Sequence, residues 1–185
     1  MSDVNTEIPT EADQRRFQIF RGAEAPPLMM DEITGRSDIS VEGMRKVREA
    51  GGLEGGEDVR VLLESPGFSL TYAWFKSGYP LPRHSHKMDC AYYIVGGSLQ
   101  LGPDVLGKGD GFFVPGGSPY TYTVGPEGVE VLEFRNDGCH DINVMATNAT
   151  FWAKAAEALP ASRARWPSEP RPSPTLAERA KAPVA

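Results

Sequence analysis

The chain has 185 residues, of which 40% are hydrophobic, a formal net charge of −6 and a pI of about 5.1. This length predicts one domain with a core of its own and some chain left over. The acidic balance works against phosphate backbones and anionic lipid, so neither nucleic acid nor a membrane surface is expected as a partner. No run reaches the roughly 18–20 apolar residues that cross a bilayer. The first residues are polar and acidic rather than leader-like, which predicts a cytoplasmic protein. Cys90 and Cys139 are too few for a disulfide framework.

Residues 1–16 are charged and without period, and predict a flexible arm. An N-terminal extension follows over 17–58. In it, residues 17–20 alternate as a short strand, and Pro26 and Pro27 stop it. Ser40 is placed to cap a helix over 41–50 that Gly51 and Gly52 end.

From 59 to 147 the texture changes to short β-rich runs separated by Gly, Pro, Asn and Asp. The runs are 59–64, 68–76, 91–95, 98–101, 111–114, 119–124, 129–135 and 141–146. Hairpin punctuation stands at Gly96-Gly97 and between Gly125 and Gly128. No segment between runs is long enough for a crossover helix, so the prediction is an all-β antiparallel barrel. Residues 148–159 read as one helix capped by Asn148 or Thr147 and ended by Pro160. The Pro-rich tail 160–185 reads as extended or disordered.

The chemistry concentrates around His84 and His86. On a strand, residues two apart share a face, so the two imidazoles stand side by side. Imidazole is the commonest metal ligand near neutral pH. Cys90 follows four residues on, and Tyr92, Tyr120 and Tyr122 lie in the neighbouring runs. A buried phenol needs a hydrogen-bond partner, so tyrosines around a histidine pair suit an oxygenated small ligand.

Two spacings in order resemble the motifs of the cupin superfamily. Gly78, His84, His86 and Gly97 fall on the first motif, with Cys90 where the family usually has Glu. Gly109, Pro115 and Gly117 fall on the second, with Tyr120 where it usually has His. The resemblance spans about residues 59–147 and implies a cupin-type double-stranded β-helix, or jelly roll. It further implies a metal-dependent enzyme of oxygenase, lyase or isomerase type, and a homodimer.

Three readings of the altered ligand set stay open. His84, His86, Cys90 and Tyr120 hold a divalent transition metal (Fe, Zn, Cu, Ni or Mn) with an open position. Alternatively, Cys90 and Tyr120 act as a pair beside the metal. Or no metal is bound, and the barrel is a non-catalytic cavity for a small ligand. Tyr120, Tyr122 and Tyr92 are the candidate catalytic acids and bases. Asp89 is a substitute carboxylate if a bulge re-aims it, and His140 a substitute imidazole. Arg83 is expected to face outward, and Arg135 either forms an ion pair or lines the opening.

Overall fold

The computed structural model describes residues 17–28, 32–34, 37–138 and 140–173. The arm 1–16, Cys139 and the tail beyond 173 lie outside the described residues. Twelve named elements follow one another. They are β1 (Glu32–Thr34), α1 (Asp38–Glu49), β2 (Glu57–Ser65), β3 (Phe68–Phe75), β4 (His84–Ser85), β5 (Cys90–Leu101), β6 (Asp104–Gly107), β7 (Gly111–Val114), β8 (Thr123–Arg135), β9 (Asp141–Val144), α2 (Ala149–Arg165) and a 3₁₀ turn (Trp166–Ser168).

One sheet runs β2-β3-β8-β5-β6, with β7 also on β5, and a smaller sheet runs β1-β9-β4. Every pair is antiparallel except β1 with β9, which is parallel. The period-two expectation holds in β5, where Cys90, Tyr92 and Ile94 are buried and Ala91 and Tyr93 are exposed.

Several boundaries depart from the sequence expectation. Residues 91–95 and 98–101 form one strand, β5, because Gly96 and Gly97 carry register shifts against β8 rather than a turn. Gly97 has φ 67°, and a Cβ there would overlap the Gly128 carbonyl, so the close strand approach requires glycine. Likewise 123–135 is one strand through Pro126. Residues 17–20 form no strand, and β1 and β6 were not anticipated.

Both helices begin or end elsewhere than expected. Ser37 caps α1 by accepting the Ser40 N–H at 3.2 Å, and Ser40 lies inside the helix. Its buried face is Ser40, Gly43 and Val47, the spacing of a helical stripe. Asn148 caps α2, accepting the Thr150 N–H at 2.9 Å. Pro160 does not end α2, which continues to Arg165. A proline inside a helix costs about 3 kcal/mol. Buried anchors on both sides of it, Leu159, Ser162 and Trp166, hold the chain in place.

The C-terminal segment is ordered well past Pro160. The Trp166 indole N–H donates to the Ser77 carbonyl at 3.0 Å. Glu169 accepts from the Ser77 N–H and hydroxyl at 2.7 and 2.6 Å. Arg171 donates to the Tyr72 hydroxyl at 2.8 Å and lies 4.9 Å over the Trp74 ring.

The helices pack on each other through Gly43, where an added Cβ would overlap the Trp152 ring. We expect Gly43→Ala to lose about 2 kcal/mol, since forced overpacking exceeds the ~1 kcal/mol helix gain of alanine. The check is a urea midpoint that falls while the slope stays the same. An unchanged or higher midpoint would refute the contact.

Candidate functional site

Three local features deliver the site. β4 carries His84, and the chain beyond it carries His86. The antiparallel bridge His84↔Tyr120 brings in the phenol, and β5 and β8 supply Tyr92, Glu133 and Arg135 from facing positions. His84 and His86 are both buried, at 4% and 5% exposure.

Each imidazole is pinned by its Nδ1. His84 Nδ1 lies 2.8 Å from the Pro82 carbonyl, and His86 Nδ1 lies 2.5 Å from the Asp141 carbonyl. A carbonyl only accepts, so both Nδ1 atoms carry the proton and both Nε2 atoms present lone pairs. Burial lowers the His84 pKa to about 4, only partly offset by the Pro82 carbonyl. His86 is lowered too, by burial first and then by Arg135. The pair is therefore neutral at physiological pH.

The two Nε2 atoms meet one hydroxyl. Tyr120 Oη lies 3.0 Å from His84 Nε2 and 3.3 Å from His86 Nε2. The Tyr92 hydroxyl lies 2.5 Å from Tyr120 Oη, and Tyr92 stands opposite Glu133 in the β5–β8 register. Burial pushes both phenols well up, and the charge of Glu133 adds to this, so both keep their protons. Burial alone would raise Glu133, but Arg135, the imidazoles and Tyr92 outweigh it and hold the carboxylate below its usual value. Arg135 donates to Glu133 at 3.0 Å.

A cavity of about 290 Å³ adjoins this network. His84, His86, Glu133 and Arg135 border it, and its walls include Val59, Ala73, Phe75, Val144 and Trp152. Tyr92, Tyr120 and Tyr122 do not border it. Tyr120 and Tyr92 stand behind the imidazoles, and Tyr122 packs edge-on to Phe75 and Phe112.

The remaining candidates are also placed. Cys90 is 1% exposed, its thiol donates to the Met88 carbonyl at 3.5 Å, and burial raises its pKa to about 11. Asp89 is exposed and accepts the Gly116 N–H at 2.8 Å, so no bulge turns it inward. His140 is buried beside Glu64, 3.3 Å away, and does not border the cavity. Arg83 is exposed, as expected.

The comparisons bear on the fold. No family model matches the chain, and no curated protein matches it. Among solved structures, the polyketide cyclase RemF from Streptomyces resistomycificus aligns over 80% of this chain and 98% of its own, with 14% identity and a TM-score of 0.53. An RmlC-like cupin from Shewanella frigidimarina aligns over 46% of this chain and 80% of its own, with 23% identity and a TM-score of 0.43. KdgF from Halomonas aligns over 45% and 82%, with 21% identity and a TM-score of 0.40. The chain has the cupin fold.

A metal in a cupin barrel needs several donors converging on one point. Here two neutral imidazoles converge, but on a phenol that keeps its proton. The Cys90 thiol is turned to the Met88 carbonyl, and the Glu133 carboxylate is engaged by Arg135. Among the described residues no three His, Cys, Asp or Glu side chains form a metal-holding group. As arranged, the donor set does not fit a resident metal.

The pinned imidazoles make stability depend on pH. The folded His84 pKa of about 4 lies below the unfolded value of roughly 6.5, so the unfolded chain binds the proton first. The contribution is fully present above the unfolded value and is lost as pH falls through the folded one. We expect it to amount to roughly 3 kcal/mol. Urea midpoints of the wild type and His84→Gln should diverge less at low pH than at neutral pH. Parallel curves would refute the assignment.

Proposed function

We propose that this cupin is an enzyme that moves a proton on a small organic molecule held in the barrel cavity, which is isomerase- or lyase-type chemistry. One observation carries the reading. Among the described residues, three basic groups, His84 Nε2, His86 Nε2 and Glu133, gather around two phenol hydroxyls, those of Tyr92 and Tyr120. The network has room for one more proton, and three of its members border the cavity.

The chemistry follows from that count. Glu133 takes a proton from a C–H made acidic by a neighbouring carbonyl, and the Arg135 guanidinium beside it offsets the charge that develops on oxygen. Tyr92 and Tyr120 pass the proton on, each receiving one and releasing its own, until an imidazole holds it. Returned at a different substrate atom, the proton completes an isomerisation. Glu133 and His84 are both held at low pKa, so neither end traps it. The mostly apolar walls keep water from competing.

The test uses tetralone, a bicyclic ketone, in heavy water, with exchange of its acidic C–H followed by NMR. The wild type should accelerate exchange. Tyr120→Phe, which keeps the ring but cuts the relay, should lose about a hundredfold, within the usual range for general acid–base catalysis. Binding without exchange would favour the non-catalytic barrel. Metal content is measured on the same preparation. One equivalent of a divalent metal, with exchange lost on chelation, would replace this reading by the metal-dependent one, for which the convergence of the two Nε2 atoms is the support.

A further inference from the structure

A second polar group borders the cavity away from the histidines. Glu57 and Tyr79 both line it, and the Tyr79 hydroxyl donates to the Glu57 carboxylate. Tyr79 is buried, whereas Glu57 stands at the exposed start of β2, so this pair marks the solvent end of the cavity.

Strand register gives the separation of the two ends. Glu133 faces Thr71 and Glu57 faces Phe75, with both partners on β3. Four residues of strand span about 13 Å, less the inward reach of the side chains. Between these levels the walls are apolar, with Ala73 opposite Val59 and opposite Val131. The volume, about 290 Å³, compares with the roughly 150 Å³ that holds benzene. A molecule of two fused rings with a polar group at each end matches these dimensions.

We propose that Glu57 and Tyr79 form a recognition pole that selects a two-ring molecule presenting a hydrogen-bond donor, such as a hydroxyl, at the solvent end, and that turns away carboxylates there. The inference rests on the reading of this cavity as the substrate site. Tyr79 already donates its only hydroxyl proton to Glu57, so the pair has acceptor capacity left and no donor to offer an anion. Glu54 also stands near this end, with its carboxylate 3.8 Å from the Arg163 guanidinium. With two carboxylates, Glu57 and Glu54, against the one Arg163 guanidinium, this rim is unfavourable to an incoming carboxylate.

The probes are a dihydroxynaphthalene with hydroxyls at opposite ends, its monomethyl ether, the corresponding naphthol and the hydroxynaphthoate. Affinities are read from quenching of tryptophan fluorescence, since Trp152 lines the cavity. The diol should bind about three- to tenfold tighter than the naphthol or the ether, the worth of one hydrogen bond. The naphthoate should bind more weakly than the diol. In Glu57→Leu, the diol and the naphthol should bind alike.

A diol preference that survives Glu57→Leu would overturn the proposal. So would a naphthoate that binds as tightly as the diol, or no binding by any probe. Should the leucine variant not fold, the comparison of diol with ether on the wild type decides alone. Glu57-dependent binding without tetralone exchange would remove the catalytic reading and leave the pole standing. Exchange with no dependence of binding on Glu57 would do the reverse.

Discussion

Two hydrogen bonds from imidazole Nδ1 atoms to backbone carbonyls govern the chemistry of this barrel. The Pro82 carbonyl holds His84 and the Asp141 carbonyl holds His86. A side-chain partner can change protonation state, whereas a carbonyl cannot, so the tautomer is fixed by the fold. From that fixed tautomer follow the direction of both lone pairs and their meeting on the Tyr120 hydroxyl, while burial keeps the pair neutral. The Asp141 carboxylate secures the arrangement by accepting the Lys87 N–H at 3.2 and 3.1 Å. The residue after His86 and the residue that orients it are thereby tied together.

A phenol and a thiol stand at the positions where the cupin motifs usually have other groups. With Tyr120 in place of a third imidazole, the point between His84 and His86 is filled by a group that donates rather than one that binds a cation. With Cys90 in place of a carboxylate, the formal negative charge at this end comes from Glu133 on another strand, already balanced by Arg135. These two replacements put a thiol and a phenol where the motifs usually have a carboxylate and an imidazole. Neither alters the barrel, because Cys90, Tyr92, Glu133 and Arg135 occupy ordinary inward positions of β5 and β8.

The architecture was legible in the sequence because period-two alternation and glycine spacing survive without knowledge of partners. His84 and His86 were legible because residues two apart on a strand share a face, and Tyr120 because the resemblance to the second cupin motif placed it there. Glu133 was missed and Arg135 left undecided. In β8 one face reads Val129, Val131, Glu133, Arg135 and the other Glu130, Leu132, Phe134. Apolar content does not choose between these faces, and only pairing with β5 does. Pro160 misled because local propensity argues for a helix end, and the buried Trp166 that overrides it makes its contacts about 90 residues away in sequence, at Ser77. Gly96-Gly97 misled because the same residues that make hairpins also permit close strand approach.

The barrel alone does not enclose the cavity. Met44 and Val47 from α1 and Trp152 from α2 complete its apolar wall. These helices meet at a single backbone oxygen, because the Ser40 hydroxyl and the Trp152 indole N–H both donate to the Ala146 carbonyl, at 2.9 and 2.8 Å. That carbonyl follows β9, the strand whose first residue orients His86. The wall and the imidazole are thus held by two ends of one short strand. A displacement of α1 that widens the cavity must break at least one of these two buried hydrogen bonds or carry Ala146 with it. Either route loads β9, which pairs directly with His84 through Val144. The helices are therefore part of the cavity wall rather than additions to the fold, and they are tied through β9 to the hydrogen bonds that hold His84 and His86.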